Sequence, residues 1–298
     1  MTGESFDRRH RKAFNMMAKP TSPFDGVAWV TGASSGIGRA TALKLARRGW
    51  RVVATARSLE ALEALQKEAV GGYGYVIVMA GDVSDTTQMA AIVDTIERDH
   101  GGIGLAVLNA GIYKPARGED LNVAAFLTTF DVNVKGVVNC LVPVSHAMRE
   151  RQRGQIAIVS SVAGYGGLPT SAAYGATKAA LINLAESLKF DFDKMGLLLQ
   201  VVNPGFVDTP ATKSNPFPMP MLMNVGDAAD ALIKGLDKGA FEITFPKRFT
   251  RIIKAINLLP YGLYFALISR MTKWRTRPLK PAKKSSDAGG ENLPLKHW

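Results

Sequence analysis

Short β-rich apolar runs alternate with longer stretches of helical periodicity along most of this chain, and that alternation limits its fold more than any other feature. Strands are read at Val27–Thr31, Arg51–Thr55, 74–79, 103–109, 155–160, 198–203 and Glu242–Phe245. Helical periodicity fills 38–48, 59–70, Thr86–Asp99, 123–149, 173–195 and 227–238. Parallel strands need crossover connections, so the pattern calls for a doubly wound, mainly parallel sheet of about seven strands with helices on both faces. Several runs are almost wholly apolar, as strands covered on both sides must be.

The first strand runs into TGASSGIG, residues 31–38, and then into a helix. Glycines there allow a tight turn and close backbone approach, and the helix N-terminus offers free N–H groups and a positive dipole end to a pyrophosphate. Gly32, Ser34, Ser35, Gly36, Ile37 and Gly38 are therefore candidate cofactor residues. The spacing is G-x-x-x-G-x-G, not the commoner G-x-G-x-x-G.

Further motifs follow in order: Asp82-Val83, Asn109-Ala110-Gly111, Asn133 in FDVNVKG, Ser161 in IVSSVAG, Tyr174 and Lys178 in YGATK, and NPGFVDTP with Pro204, Gly205, Val207 and Thr209. Over roughly 24–245 the set resembles the short-chain dehydrogenase/reductase family, which implies a Rossmann-type sheet. One departure is Leu108, where the family often has a second asparagine. The resemblance implies that Asp82 meets the adenine amino group, that 109–111 lie beside the adenine ribose, and that Thr209 fixes the nicotinamide carboxamide. It also implies a catalytic set of Asn133, Ser161, Tyr174 and Lys178, with Asn133 bending its helix and holding a water against the lysine. Ser161 is chosen over Ser160 because its spacing of 13 residues to Tyr174 matches the family.

The chemistry of the Tyr–Lys pair is local. Positions i and i+4 share a helix face. A free tyrosine has a pKa near about 10, and a nearby ammonium favours its phenolate. The expected reaction interconverts a primary or secondary alcohol and a carbonyl, with Tyr174 as general acid/base and Ser161 bonding the reacting oxygen. The alternative is a catalytically silent NADP-binding regulatory protein of the same fold, which loss of Tyr174, Lys178 or Ser161 would favour; all three are present.

Cofactor choice turns on the end of the second strand. An NAD enzyme wants a carboxylate there for the ribose hydroxyls. This chain has Ala56 followed by Arg57, whose guanidinium can take a 2′-phosphate in a bidentate fashion. A cation beside the helix cap at Ser58 is electrostatically disfavoured, which argues that Arg57 is there for a ligand. NADP(H) is therefore expected, with NAD(H) second.

The net charge is +12, of which residues 1–20 carry +3 and 246–298 carry +10, leaving −1 for 21–245. A near-neutral body without a recognition motif or interleaved stacking aromatics argues against nucleic acid. Four scattered histidines show no ligand spacing, so no metal is expected. One cysteine, Cys140, excludes an internal disulfide and suits a reducing cytoplasm. The basic start lacks an apolar h-region, and no stretch of about 18 uninterrupted apolar residues exists.

Four segments result: a basic extension (1–23), the catalytic domain (24–245), an amphipathic helical extension (246–280) and a tail of disordered composition (281–298). Within the domain, 210–225 occupies the place of the family's substrate lid, and Phe217, Met219, Met221, Leu222 and Met223 suggest either an apolar wall for a lipophilic substrate or a hydrophobic loop packed on its own core. The resemblance also implies a homodimer or homotetramer paired through the fifth and sixth helices. In the extension, Arg248, Arg251 and Lys254 recur at helical spacing, while Ile252, Ile253, Ile256 and Leu259 fall largely on another side. Residues 246–275 can serve as a peripheral membrane contact, or the apolar side can pack on the catalytic domain or a partner subunit and line the cleft.

Overall fold

A computed structural model describes residues 18–279 except 214, 216 and 217. The expectations for 1–17, 280–298 and Phe217 lie outside the described residues.

Seven parallel strands form one sheet: β1 (Val27–Thr31), β2 (Arg51–Thr55), β3 (Tyr75–Val78), β4 (Ile103–Leu108), β5 (Gly154–Val159), β6 (Leu197–Pro204) and β7 (Glu242–Phe245). Their order is β3-β2-β1-β4-β5-β6-β7. The order reverses between β1 and β4, which opens a crevice at the carboxyl ends of those strands. The connecting helices are α1 (Gly36–Arg47), α2 (Leu59–Glu68), α3 (Thr86–Asp99), α4 (Val123–Phe130), α5 (Gly136–Arg151), α6 (Ala172–Lys194) and α7 (Val225–Lys238).

Alternate residues of each strand feed opposite faces, as the pleat requires. Ala28 and Val30 join Leu43, Leu62 and Leu232 under α1, α2 and α7. Trp29 points the other way, with Met89, Ile96, Val144 and Leu181 under α3, α5 and α6. Its indole N–H donates to Thr55 Oγ1 at 2.9 Å, so the bulky residue is buried with its polar atom satisfied.

Strand and helix ends depart from the sequence reading by a residue or two at several places. The larger difference concerns 123–149, read as one helix bent at Asn133. The structure has α4, then a π segment over Asp131–Lys135, then α5 running on to Arg151. The whole of Val123–Arg151 is long and apolar enough to cross a membrane by length and composition. Here Asn133, Cys140, Val144 and Met148 are buried in the domain.

The C-terminal extension forms α8 (Lys247–Asn257) and α9 (Tyr261–Met271), separated at Pro260. Phe249, Ile253, Ile256, Tyr264 and Ile268 form a third core against Val162, with Leu168 and Phe206 at its edge. Packing on the catalytic domain is thus real for one face. Ile252 and Leu259, grouped with the buried isoleucines on sequence, are instead 44% and 37% exposed.

Candidate active site

The glycine turn after β1 is built as its residues require. Gly32 and Gly36 have φ of +66° and +54°, the left-handed region that L side chains avoid. A Cβ on Gly38 would lie 2.4 Å from the Gly32 carbonyl oxygen and 2.3 Å from Asn109 Nδ2. Ser35 is the N-cap of α1, yet its side chain makes no capping bond, so its hydroxyl and the first N–H groups of α1 face the crevice.

Asn109 fixes this turn from the neighbouring strand. Its amide donates to the carbonyls of Thr31 (3.1 Å) and Gly32 (3.3 Å), while Thr31 Oγ1 accepts from the backbone N–H of Asn109 and Ala110. The Asn109 side chain is therefore committed to tying β1 to β4. Thr31, the first residue of the TGASSGIG run, is its counterpart.

A cavity of about 550 Å³ lies over the crevice, within the range of small-molecule sites. Its wall includes Gly32, Ser34, Ser35, Gly36, Ile37, Arg57, Asp82, Val83, Asn109, Ala110, Gly111, Ser161, Tyr174, Lys178, Pro204, Gly205, Val207 and Thr209. Gly38 and Asn133 do not line it; they act from behind. Ile112, Tyr113, Val132 and Thr212 also form its wall and escaped the sequence reading. The methionine-rich loop does not: Met221 and Leu222 are exposed, Met223 packs on the core, and the loop's contribution is Pro210, Ala211 and Thr212. A bridge between Val207 and Met223 closes its backbone.

Arg57 is exposed at the rim, one residue before Ser58, which caps α2 by accepting from Ala61 N at 3.2 Å. Across from it, burial pushes the Asp82 carboxyl up, but hydrogen bonds from Ser84 and the Arg57 charge outweigh this and leave it below its ordinary value.

At the other end of the cavity, Tyr174 and Lys178 stand one turn apart on α6. Lys178 Nζ sits 5.6 Å from the Tyr174 ring centre and donates to the Val159 carbonyl at 2.8 Å. Ser160 and Ser161 are separated by their bonds. Ser160 Oγ donates to the Lys178 carbonyl at 2.7 Å, whereas the Ser161 hydroxyl accepts from Ala163 N at 3.1 Å and lines the cavity with Tyr174. Tyr113 adds its ring edge to Tyr174 at 5.1 Å and shares a 2.8 Å hydrogen bond with Thr170.

Asn133 is fully buried on the π segment. Its Oδ1 accepts from Ile112 N at 2.8 Å, and its Nδ2 donates to Ile112 O and Thr177 Oγ1, both at 3.0 Å. Thr177 in turn donates to the Tyr174 carbonyl. Asn133 and Lys178 flank Gly111, whose Cβ would lie 3.3 Å and 3.5 Å from them. The distortion in the helix is therefore where the asparagine must reach a neighbouring loop.

Burial pushes the Tyr174 phenol above its ordinary value, and the neighbouring Ser161 hydroxyl offsets this only in part. Burial also lowers Lys178 from 10.5 to about 8. Desolvation acts on both groups and disfavours each one's charged form.

The fold and this cavity define an α/β nucleotide-binding protein with its site at the topological switch point. The family model for short chain dehydrogenases matches residues 26–217. An uncharacterised oxidoreductase of Myxococcus xanthus is 38% identical over 244 residues, spanning 82% of this chain and 96% of that protein. The 3-oxoacyl-(acyl-carrier-protein) reductase FabG of Thermotoga maritima is 35% identical over 190 residues, 64% of this chain and 77% of that protein. The fold matches a crystal structure of an actinorhodin polyketide ketoreductase variant with NADPH at a TM-score of 0.68, with 24% identity, over 76% of this chain and 97% of that one. The chain belongs to the short-chain dehydrogenase/reductase family and is an oxidoreductase that uses a nicotinamide dinucleotide.

Proposed function

We propose that the protein is an NADP(H)-dependent enzyme that interconverts a carbonyl and an alcohol on a lipophilic substrate, with Tyr174 as the proton donor and acceptor. The observation that carries this is the convergence of Ser161, Tyr174 and Lys178, the last two one helical turn apart, in the same cavity as the glycine turn.

The residues present fit the dinucleotide. Gly32 and Gly38 leave room that a Cβ would fill, and the open start of α1 suits a pyrophosphate. Gly32 to Ile37 would hold that group, Asp82 and Val83 the adenine, Lys178 the nicotinamide ribose and Thr209 the carboxamide. When bound, the nicotinamide supplies or accepts the hydride. Arg57 supports the phosphorylated cofactor, as do the NADPH of the solved ketoreductase and the relatives named as 3-oxoacyl reductases.

In the reductive direction the raised pKa of Tyr174 keeps its proton on the phenol until it is needed. Tyr174 donates that proton to the carbonyl oxygen, and the Ser161 hydroxyl donates a hydrogen bond to the same oxygen as charge builds there. The resulting phenolate lies beside the Lys178 ammonium. Asn133 acts as a positioning residue, tying the loop at Ile112 to the turn of α6 that carries Tyr174.

An apolar substrate is supported by a second cavity of about 760 Å³. It lies beyond the Tyr113–Thr170 pair and is walled by Leu168, Phe265, Ile268 and Trp274. Assembly through the fifth and sixth helices is supported by exposed Val138, Val142 and Phe190. The decisive experiment follows absorbance of the reduced nicotinamide over a panel of ketones and aldehydes of increasing chain length. Turnover is expected with NADPH, with KM falling as the chain lengthens. Tyr174→Phe should reduce turnover by at least about 10²-fold, and a variant as fast as the parent would end the assignment.

A further inference from the structure

The reductase reading uses the two C-terminal helices only where Phe265, Ile268 and Trp274 wall the second cavity; their remaining exposed surface is unexplained by it. Between 247 and 279 there are eight Lys and Arg residues and no Asp or Glu. The inner face of the pair is fully engaged. Phe249, Ile253, Ile256, Tyr264 and Ile268 are buried, the Tyr264 hydroxyl donates to the Gly167 carbonyl, and Lys254 pairs with Glu242. The helices are thus anchored to the body without help from their outer side chains.

The outer side chains are nonetheless apolar. Leu258 is 87% exposed, Tyr261 80% and Leu263 59%. All three lie between 258 and 263, at the corner where Pro260 separates α8 from α9, and the Tyr261 ring stacks on Phe265 at 5.9 Å. Exposed apolar groups gathered in one patch mark an interaction surface. The same two helices and the turn after them expose Lys247, Arg248, Arg251, Arg270, Lys273 and Arg275, and among the described residues Lys254 alone of this segment's cations makes an ion pair.

We propose that this corner docks flat on an anionic lipid bilayer, with the apolar side chains among the acyl chains and the basic rim at the headgroups. Each helix has 11 residues, too short to span a hydrocarbon core that needs about 20. The pairing of an apolar wedge with flanking cations and aromatic rings is that of an interfacial element. A second copy of the chain fits less well. A two-fold contact through the corner sets each basic rim against itself, with no carboxylate in the segment to relieve it. The same helices rest on Val162, the residue after Ser161, so docking brings the substrate side of the cleft to the lipid, where an apolar carbonyl compound would partition.

The test uses the full-length protein in co-sedimentation with vesicles of phosphatidylcholine alone and of phosphatidylcholine mixed with phosphatidylglycerol. Binding is expected to the anionic vesicles only, weakening as salt is raised. Arg248→Gln and Arg251→Gln should each weaken it about five-fold. Leu258→Ser and Leu263→Ser should each weaken it about ten-fold or more. All four positions are exposed, so the variants keep the parent's melting temperature, which circular dichroism checks. Three results would overturn the proposal. One is a protein that stays in the supernatant at low salt. Another is a set of four variants that pellet like the parent, which would place binding elsewhere on the chain. The third is an oligomer that Leu258→Ser and Leu263→Ser dissociate without any vesicle binding, which would make the patch a contact between copies.

Discussion

Replacing Lys178 by methionine should make the protein more stable while removing most of its activity. The lysine is 3% exposed, and burial lowers its pKa from 10.5 to about 8. Near neutral pH the folded chain carries an ammonium that the unfolded chain solvates better, at a cost of about 3 kcal/mol from that displacement. Methionine removes this charge and fills similar space. It also forfeits the hydrogen bond to the Val159 carbonyl, worth about 1 kcal/mol for the neutral amine. The net gain is about 2 kcal/mol, or roughly 4–8 °C in Tm for a chain of this size. Its pH dependence is fixed in sign. The destabilising contribution of a lysine with a depressed folded pKa is complete below about 8 and fades as pH rises towards 10.5, where the unfolded lysine also loses its proton. Thermal melts of both proteins without cofactor, taken from neutral to alkaline pH, should therefore converge. A variant that melts at or below the parent at neutral pH, or a difference that grows with pH, would refute the reasoning.

Three further outcomes follow from the site. Arg57→Ala should weaken NADPH much more than NADH, by a charge-assisted contact of about 1.5–3 kcal/mol; equal losses in the two dissociation constants, by fluorescence titration, would remove the main support for the phosphorylated cofactor. In the reductive direction kcat/KM should fall as pH rises through about 8, because a neutral Lys178 no longer stabilises the Tyr174 phenolate; a flat profile up to the tyrosine's own titration would contradict that role. Gly38→Ala puts a methyl 2.4 Å from the Gly32 carbonyl oxygen, so the turn must open; cofactor affinity should drop at least about ten-fold by calorimetry, a magnitude of about 1.4 kcal/mol, while an unchanged affinity would show that the turn has slack.

Much of this architecture was legible because a parallel sheet writes itself into sequence twice, as apolar runs and as the spacing of its crossovers. Val27–Thr31, Arg51–Thr55 and Glu242–Phe245 coincide with their strands, and Thr86–Asp99 with its helix. The glycine turn was legible for a different reason: Gly32, Gly36 and Gly38 answer to steric demands that no other residue meets. Less visible were contacts between distant segments. Thr31 and Asn109 clamp two strand ends 78 residues apart, and Tyr113 is a lone loop aromatic with no periodicity to mark it. The methionines of the loop fit either a pocket wall or a loop packed on its own core in sequence, and only the fold shows Met223 on the core and Met221 and Leu222 exposed. In α8 and α9, helical spacing showed amphipathicity but not that apolar residues lie on both the buried and the exposed side.

The π segment at Asp131–Lys135 makes the count of residues between α4 and α5 a structural quantity in its own right. An α-helix turns roughly 100° per residue, so the widened turn sets the two halves of this long helix out of phase by about one position. Downstream, Val137, Cys140, Leu141, Val144 and Met148 face the core in the phase that the extra residue provides. Upstream, Thr129 is buried in the other phase. Removing any one residue from 131–135 would restore a regular helix and force a choice between the two stripes. Either α5 rolls its apolar side out of the domain, or Asn133 swings away from Ile112 and Thr177. Viable change in this stretch is therefore confined to substitution, and its length behaves as a reading frame for the helix that follows.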